Sequence, residues 1–87
     1  MVRPHFFISL EANEAKELSS FLAGGFSRYG LRARRRAQAV WFSYKMMTVP
    51  EIARRLRVSE RHLWNWLKNY QAKGLDGLKG KYVYTKL

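Results

Sequence analysis

The 87-residue chain has no cysteine, two prolines, and six acidic side chains against seventeen lysines and arginines. Without cysteine there is neither a disulfide framework nor a thiolate metal site, and a reducing compartment is permitted. No apolar run approaches the length needed to cross a bilayer, and Met1–Leu10 lacks the apolar core of a secretory leader. The expectation is a cytoplasmic, nucleoid-associated protein with no membrane partner. Internal repeats and low-complexity segments are absent as well. What is present is 47% apolar and 15% aromatic residues, too rich for a disordered tail. The length suits one compact domain over residues 1–87 with a modest core.

The net charge of +11 is unevenly placed. Residues 1–26 hold Arg3 and Lys16 against Glu11, Glu14 and Glu17, a balance of −1, so the remainder carries +12. A near-neutral front on a strongly basic body is expected of a nucleic-acid binder. A generally basic soluble domain is the bland alternative. An anionic membrane surface fits less well, because the basic helices show no broad apolar face.

Along the chain, Phe6, Ile8 and Leu10 alternate as in a short strand. From Glu11 the pattern turns helical through Ala15, Leu18 and Leu22, and Gly24–Gly25 stop it. This first unit, residues 1–26, reads as support for the fold. Ser27 or Tyr29 opens a longer helix to about Met46, with Ala33, Ala37, Val40, Trp41, Tyr44 and Met47 on one stripe. Arg34, Arg35, Gln38 and Lys45 lie opposite. Leu31 and Phe42 share that polar side, which points to contact with the N-terminal helix or a second copy. The run Arg32–Arg36 suits phosphate binding, or else a solvated face.

Thr48-Val-Pro-Glu51 is a helix start: Thr48 caps, Pro50 fits the first turn, and Glu51 stands at the capping-box position. Ile52, Ala53 and Leu56 face inward. Ser59 caps a second helix on which Leu63, Trp66, Leu67 and Tyr70 share the apolar face. Arg61, Asn65 and Lys68 point the other way, flanked by His62, Trp64 and Asn69. Gly74 closes that helix, and Leu75 and Leu78 can fold back on the core. Lys79-Gly-Lys81 resembles a linker. Tyr82–Thr85 is either a frayed tail or a strand pairing with Phe6–Leu10. The reading is a mainly α helix-turn-helix bundle of about four helices, with the support helix in residues 1–26, the helix-turn-helix core over 27–78 and a tail or short strand over 79–87, a small two-stranded sheet from the termini being an option. Small Ala53 allows a close crossing, and Ile52, Leu56, Val58, Leu63 and Trp66 fill the apolar places. Arg57 stands where a turn favours glycine, so it must take a costlier backbone conformation or the turn must differ.

The segments R-A-R-R-R-A-Q-A-V-W, E-I-A-R-R-L-R-V-S-E-R-H-L-W-N-W-L-K-N-Y and K-G-L-D-G-L resemble the N-terminal DNA-binding domain of mariner-like bacterial insertion-sequence transposases, in the homeodomain-like helix-turn-helix group. The likeness covers about residues 10 to 78 and is strongest over 51 to 78. It implies a second helix in the major groove, with Ser59, Arg61, His62 and Asn65 near bases or phosphates. Met46 replaces a glycine usual before the motif. After Leu78 the family continues into a basic, proline-containing linker and a second DNA-binding unit, whereas here K-G-K-Y-V-Y-T-K-L follows. Transposition needs carboxylates converging on two metal ions, which six scattered acidic residues do not supply. The expectation is a binder without enzymatic activity.

Chemistry assigns the roles further. Arg61 can donate two hydrogen bonds to guanine and Asn65 can pair with adenine, with His62 beside them at the bases. Ser59, Trp64, Lys68, Asn69, Arg57, Arg54, Arg35 and Arg36 are assigned to the DNA backbone. Asn65 as a merely solvated residue is the bland alternative, and Trp64 could instead rest on the preceding helix. Trp41 and Trp66 read as core. Arg3 beside Pro4 reads as a loose terminus rather than a minor-groove arm. No metal, cofactor or small-molecule ligand is expected. The leading expectation is sequence-specific binding of double-stranded DNA, by one copy or by a homodimer, of a transposase-derived regulator or a mobile-element recognition module. A phage packaging-type recognition subunit is a close relative of that reading. A protein-interaction adaptor or an RNA binder using the basic surface is the alternative.

Overall fold

The computed structural model describes residues 7–79. Its elements are α1 (Ala12–Ala23), a 3-10 turn (Gly25–Arg28), α2 (Leu31–Tyr44), α3 (Val49–Leu56), α4 (Glu60–Lys73) and the short α5 (Asp76–Lys79). Together they form a helical helix-turn-helix bundle. Helix α2 packs against α1, α3 and α4, and α5 folds back onto α4 and α2. None of the described helices is long and apolar enough to cross a membrane.

In α1 the Glu14 carboxylate accepts the Glu11 N–H at 2.9 Å, tying the first turn. Leu18 and Phe21 are the buried anchors, with Ala15 and Leu22 on the margin of the stripe. Helix α2 begins later than expected, at Leu31. The chain leaves α1 through the 3-10 turn and passes Gly30 at φ 89°, a conformation that glycine takes without steric cost. It ends at Tyr44, short of Met46, because Met46 itself turns to φ 73°. Ala33, Ala37, Ala39 and Val40 are wholly buried, and their small size brings neighbouring helices close. Trp41 and Tyr44 are half-buried at the edge of that stripe. Phe42 finds its neighbour within the bundle: the Arg55 guanidinium of α3 lies 5.2 Å from its ring centre. Leu31 stays 68% exposed.

Residues 7–10, read as strand-like and as one side of an optional terminal sheet, form no strand, and there is none elsewhere among the described residues. Ile8 is buried, but its N–H goes to the hydroxyl of buried Ser43 at 2.8 Å, so a side chain of α2 takes the place of a partner strand. Tyr82–Thr85, the other half of that sheet, lies outside the described residues.

At the other end, Gly74 takes φ 66° and its N–H reaches the Tyr70 carbonyl at 2.7 Å, closing α4. Leu78 is fully buried and Leu75 partly so, as expected of a return to the core. The approach of α5 to α4 is close. A Cβ on Gly77 would stand 2.3 Å from the Asn69 carbonyl oxygen, so only glycine fits. Lys79 belongs to α5, and Gly80 and Lys81, the rest of the segment read as a linker, lie outside the described residues. Lys79 pairs with Asp76 at 3.2 Å and lies 5.0 Å from the centre of the Tyr29 ring.

Candidate nucleic-acid interface

A recognition helix must be held on one side and bare on the other. The holding starts at α3. Thr48 Oγ1 accepts the Glu51 N–H at 3.4 Å while the Glu51 carboxylate accepts the Thr48 N–H at 2.9 Å, a reciprocal cap with Pro50 in the first turn. Val49, Ile52, Ala53 and Leu56 are buried beneath it.

The turn is set by Arg57, which adopts the left-handed conformation at φ 59° and ψ 48°. For a residue with a Cβ this costs about 1 kcal/mol. It lets the Val58 N–H reach the Ala53 carbonyl at 3.0 Å, and the chain turns at once into α4. Ser59 caps α4 by accepting the His62 N–H at 3.1 Å, and Glu60 occupies the first turn, where the helix dipole favours a negative charge.

On α4, Leu63, Leu67 and Tyr70 are buried. Burial, and behind it the charges of Glu14 and Glu17, hold the Tyr70 hydroxyl above its ordinary pKa of 10.0. Arg61, His62, Asn65, Lys68 and Asn69 are all exposed. At 100° per residue Arg61, Asn65 and Lys68 fall within one narrow stripe facing away from the buried side. Trp64 is half-buried and packs against the core. Trp66 is also half-buried: one side meets the core and the other lines an open pocket. The His62 Nδ1 lies 3.2 Å from Ser59 Oγ, which orients the imidazole at the start of the helix.

The arginines expected at phosphates divide. Arg54 and Arg57 are exposed around the turn. Arg35 donates to the Leu56 carbonyl at the end of α3, and Arg36 donates to the Leu78 carbonyl at 3.2 Å. Each uses part of a fork of five N–H donors, so both tie α2 to its neighbours and keep donors to offer. They line the same pocket as Trp66, together with Arg32, Val58 and His62. Arg32 was read toward phosphate only as part of the Arg32–Arg36 run, and Trp66 was read as core. The signal was there in part, since Arg32, Arg35 and Arg36 stand at helical spacing on one side of α2.

A family model described as a homeodomain-like domain matches residues 31–79, more than half of the chain. The chain belongs to the homeodomain-like family. The matched homeodomain-like unit starts with the first residue of α2 and ends with the last of α5, so α1 and the Ile8 segment pack onto it from outside. DNA binding in general is the function this homeodomain-like helix-turn-helix carries. Searches of curated proteins and of solved structures gave no significant match.

Proposed function

We propose that this chain binds double-stranded DNA sequence-specifically, with α4 in the major groove. It would serve as a transposase-derived regulator or as the site-recognition module of a mobile element. One observation carries the reading: α4 is capped and clamped through Leu63, Leu67 and Tyr70, while Arg61, Asn65 and Lys68 stand exposed on the opposite stripe. Arg61 has the donors for a bidentate contact to guanine and Asn65 the donor and acceptor for adenine, each worth about 1–3 kcal/mol of discrimination. Ser59, Arg54, Arg57 and Asn69 surround that stripe and supply backbone contacts, which position the helix without reading sequence. The transposase reading rests on the likeness of Glu51–Leu78, and the chain acts as a binder, not a catalyst. Few base pairs are reached by one small unit, so two copies on a palindromic site would supply useful specificity.

Selection of bound duplexes from a random pool at physiological salt tests this. The expected result is an enriched motif, palindromic if two copies bind. A bound pool with the same sequence statistics as the input would reject sequence-specific reading.

A further inference from the structure

The open pocket between α2 and α4 has a volume of about 290 Å³ and is lined by Arg32, Arg35, Arg36, Val58, His62 and Trp66. Three guanidiniums and an imidazole meet there, and no carboxylate is among the lining residues. Like charges held this close repel one another, so an anion between them lowers the energy of the arrangement. Arg35 and Arg36 are already oriented, each by a bond to a main-chain carbonyl. Arg32 is exposed, and neither its guanidinium nor the Trp66 indole N–H has a hydrogen-bond partner among the described residues. The pocket thus presents oriented forks, an uncommitted fork and an uncommitted indole donor around one space.

Position decides the anion. His62 and Trp66 lie one turn apart on the flank of α4 between its buried side and the Arg61–Asn65–Lys68 stripe. When that stripe faces the floor of a major groove, this flank faces the sugar-phosphate wall. We propose that the pocket seats one backbone phosphate of the bound duplex, with Arg32 and the Trp66 indole N–H as its uncommitted donors. The inference rests on the DNA reading above and adds the contact that sets the register of α4 on its site. Guanidinium forks match the two free oxygens of a phosphodiester, and the salt dependence of such a contact is measurable.

The test compares wild type, Arg32→Gln and Arg32→Lys on a selected duplex across a salt series, by fluorescence anisotropy. Thermal melts of each protein confirm that the fold is kept. A second arm scans the duplex with single uncharged methylphosphonate linkages. Arg32→Gln should weaken binding about tenfold on every sequence and reduce the salt slope by about one. Arg32→Lys should recover part of the loss. One methylphosphonate position should weaken the wild type more than it weakens Arg32→Gln, and equal losses at every position would count against the seat. If wild type binds the duplex and Arg32→Gln matches it in affinity and slope, the phosphate seat is refuted while DNA reading stands. If wild type binds no duplex, both fall. Should inorganic phosphate shift the Trp66 indole resonance while Arg32→Gln binds DNA like wild type, the pocket is a free-anion site and the proposal is overturned.

Discussion

Arg35 and Arg36 of α2 each donate to a main-chain carbonyl, at the ends of α3 and α5, whereas Arg61 and Lys68 of α4 are exposed with no partner among the described residues. The cations are alike in charge and unlike in task. Carbonyls at a helix end have no intrahelical partner, and a guanidinium from a neighbouring helix satisfies them while opposing the dipole. The pair on α2 therefore ties α2 to α3 and α5, and the pair on α4 stays open to solvent, which the proposed reading assigns to DNA. A charge count treats all four alike; only the acceptors within reach separate them.

That contrast can be broken from the structural side first. Gly77→Ala forces a Cβ into the Asn69 carbonyl, lifting α5 and carrying away the Leu78 acceptor of Arg36. Chemical denaturation should show a loss of about 3 kcal/mol, and an unchanged midpoint would mean that α5 does not hold the bundle. Next, Arg36→Gln should cost about 1 kcal/mol by removing a charged donor from that carbonyl. Lys68→Gln, by contrast, should leave the melting temperature as it is. Equal melting shifts in the two variants would erase the distinction between anchoring and free cations.

Arg57 sharpens the comparison because its backbone, rather than its charge, bears the strain. Arg57→Gly should stabilise the fold by about 0.5 kcal/mol, the relief of the left-handed conformation less the freedom gained by the unfolded chain. A destabilised Arg57→Gly variant would show that the Arg57 side chain holds the turn. The smallest effect concerns the buried side of α4. The Tyr70 hydroxyl titrates higher in the fold than in the unfolded chain, so its contribution is complete below pH 10.0 and lost as pH rises through the folded value. Wild type should therefore lose stability in that alkaline range more steeply than Tyr70→Phe, as read from melting temperature against pH.

Much of the bundle was legible because its signals are local. Thr48 with Glu51, Ser59 before α4 and Gly74 after it are short-range caps, and each does in the structure what its spacing implied. The burial of Leu63, Leu67, Tyr70 and Leu78 followed from helical periodicity and a return after glycine. What escaped depends on residues far apart in the chain. The bond between Ile8 and Ser43, the carbonyls taken by Arg35 and Arg36, and the contact that demands glycine at 77 exist only once helices are packed. The strand-like reading failed over residues 7–10 for the same reason, since alternation shows which side is buried and not what receives the N–H. On α4 the exposed stripe was read from the sequence, while the pocket on its flank needed α2 in place.

The central claim is that α4 reads bases while α2 supports it. The most direct measurement is the affinity of Arg61→Ala and of Arg35→Ala for a selected duplex and for its single-base-pair variants at fixed salt. Arg61→Ala should flatten the preference at one position, by about 1–3 kcal/mol, and leave the others intact. Arg35→Ala should weaken all duplexes by a common factor. If both variants lose affinity equally on every sequence, Arg61 does not read bases and the division between the two helices is wrong.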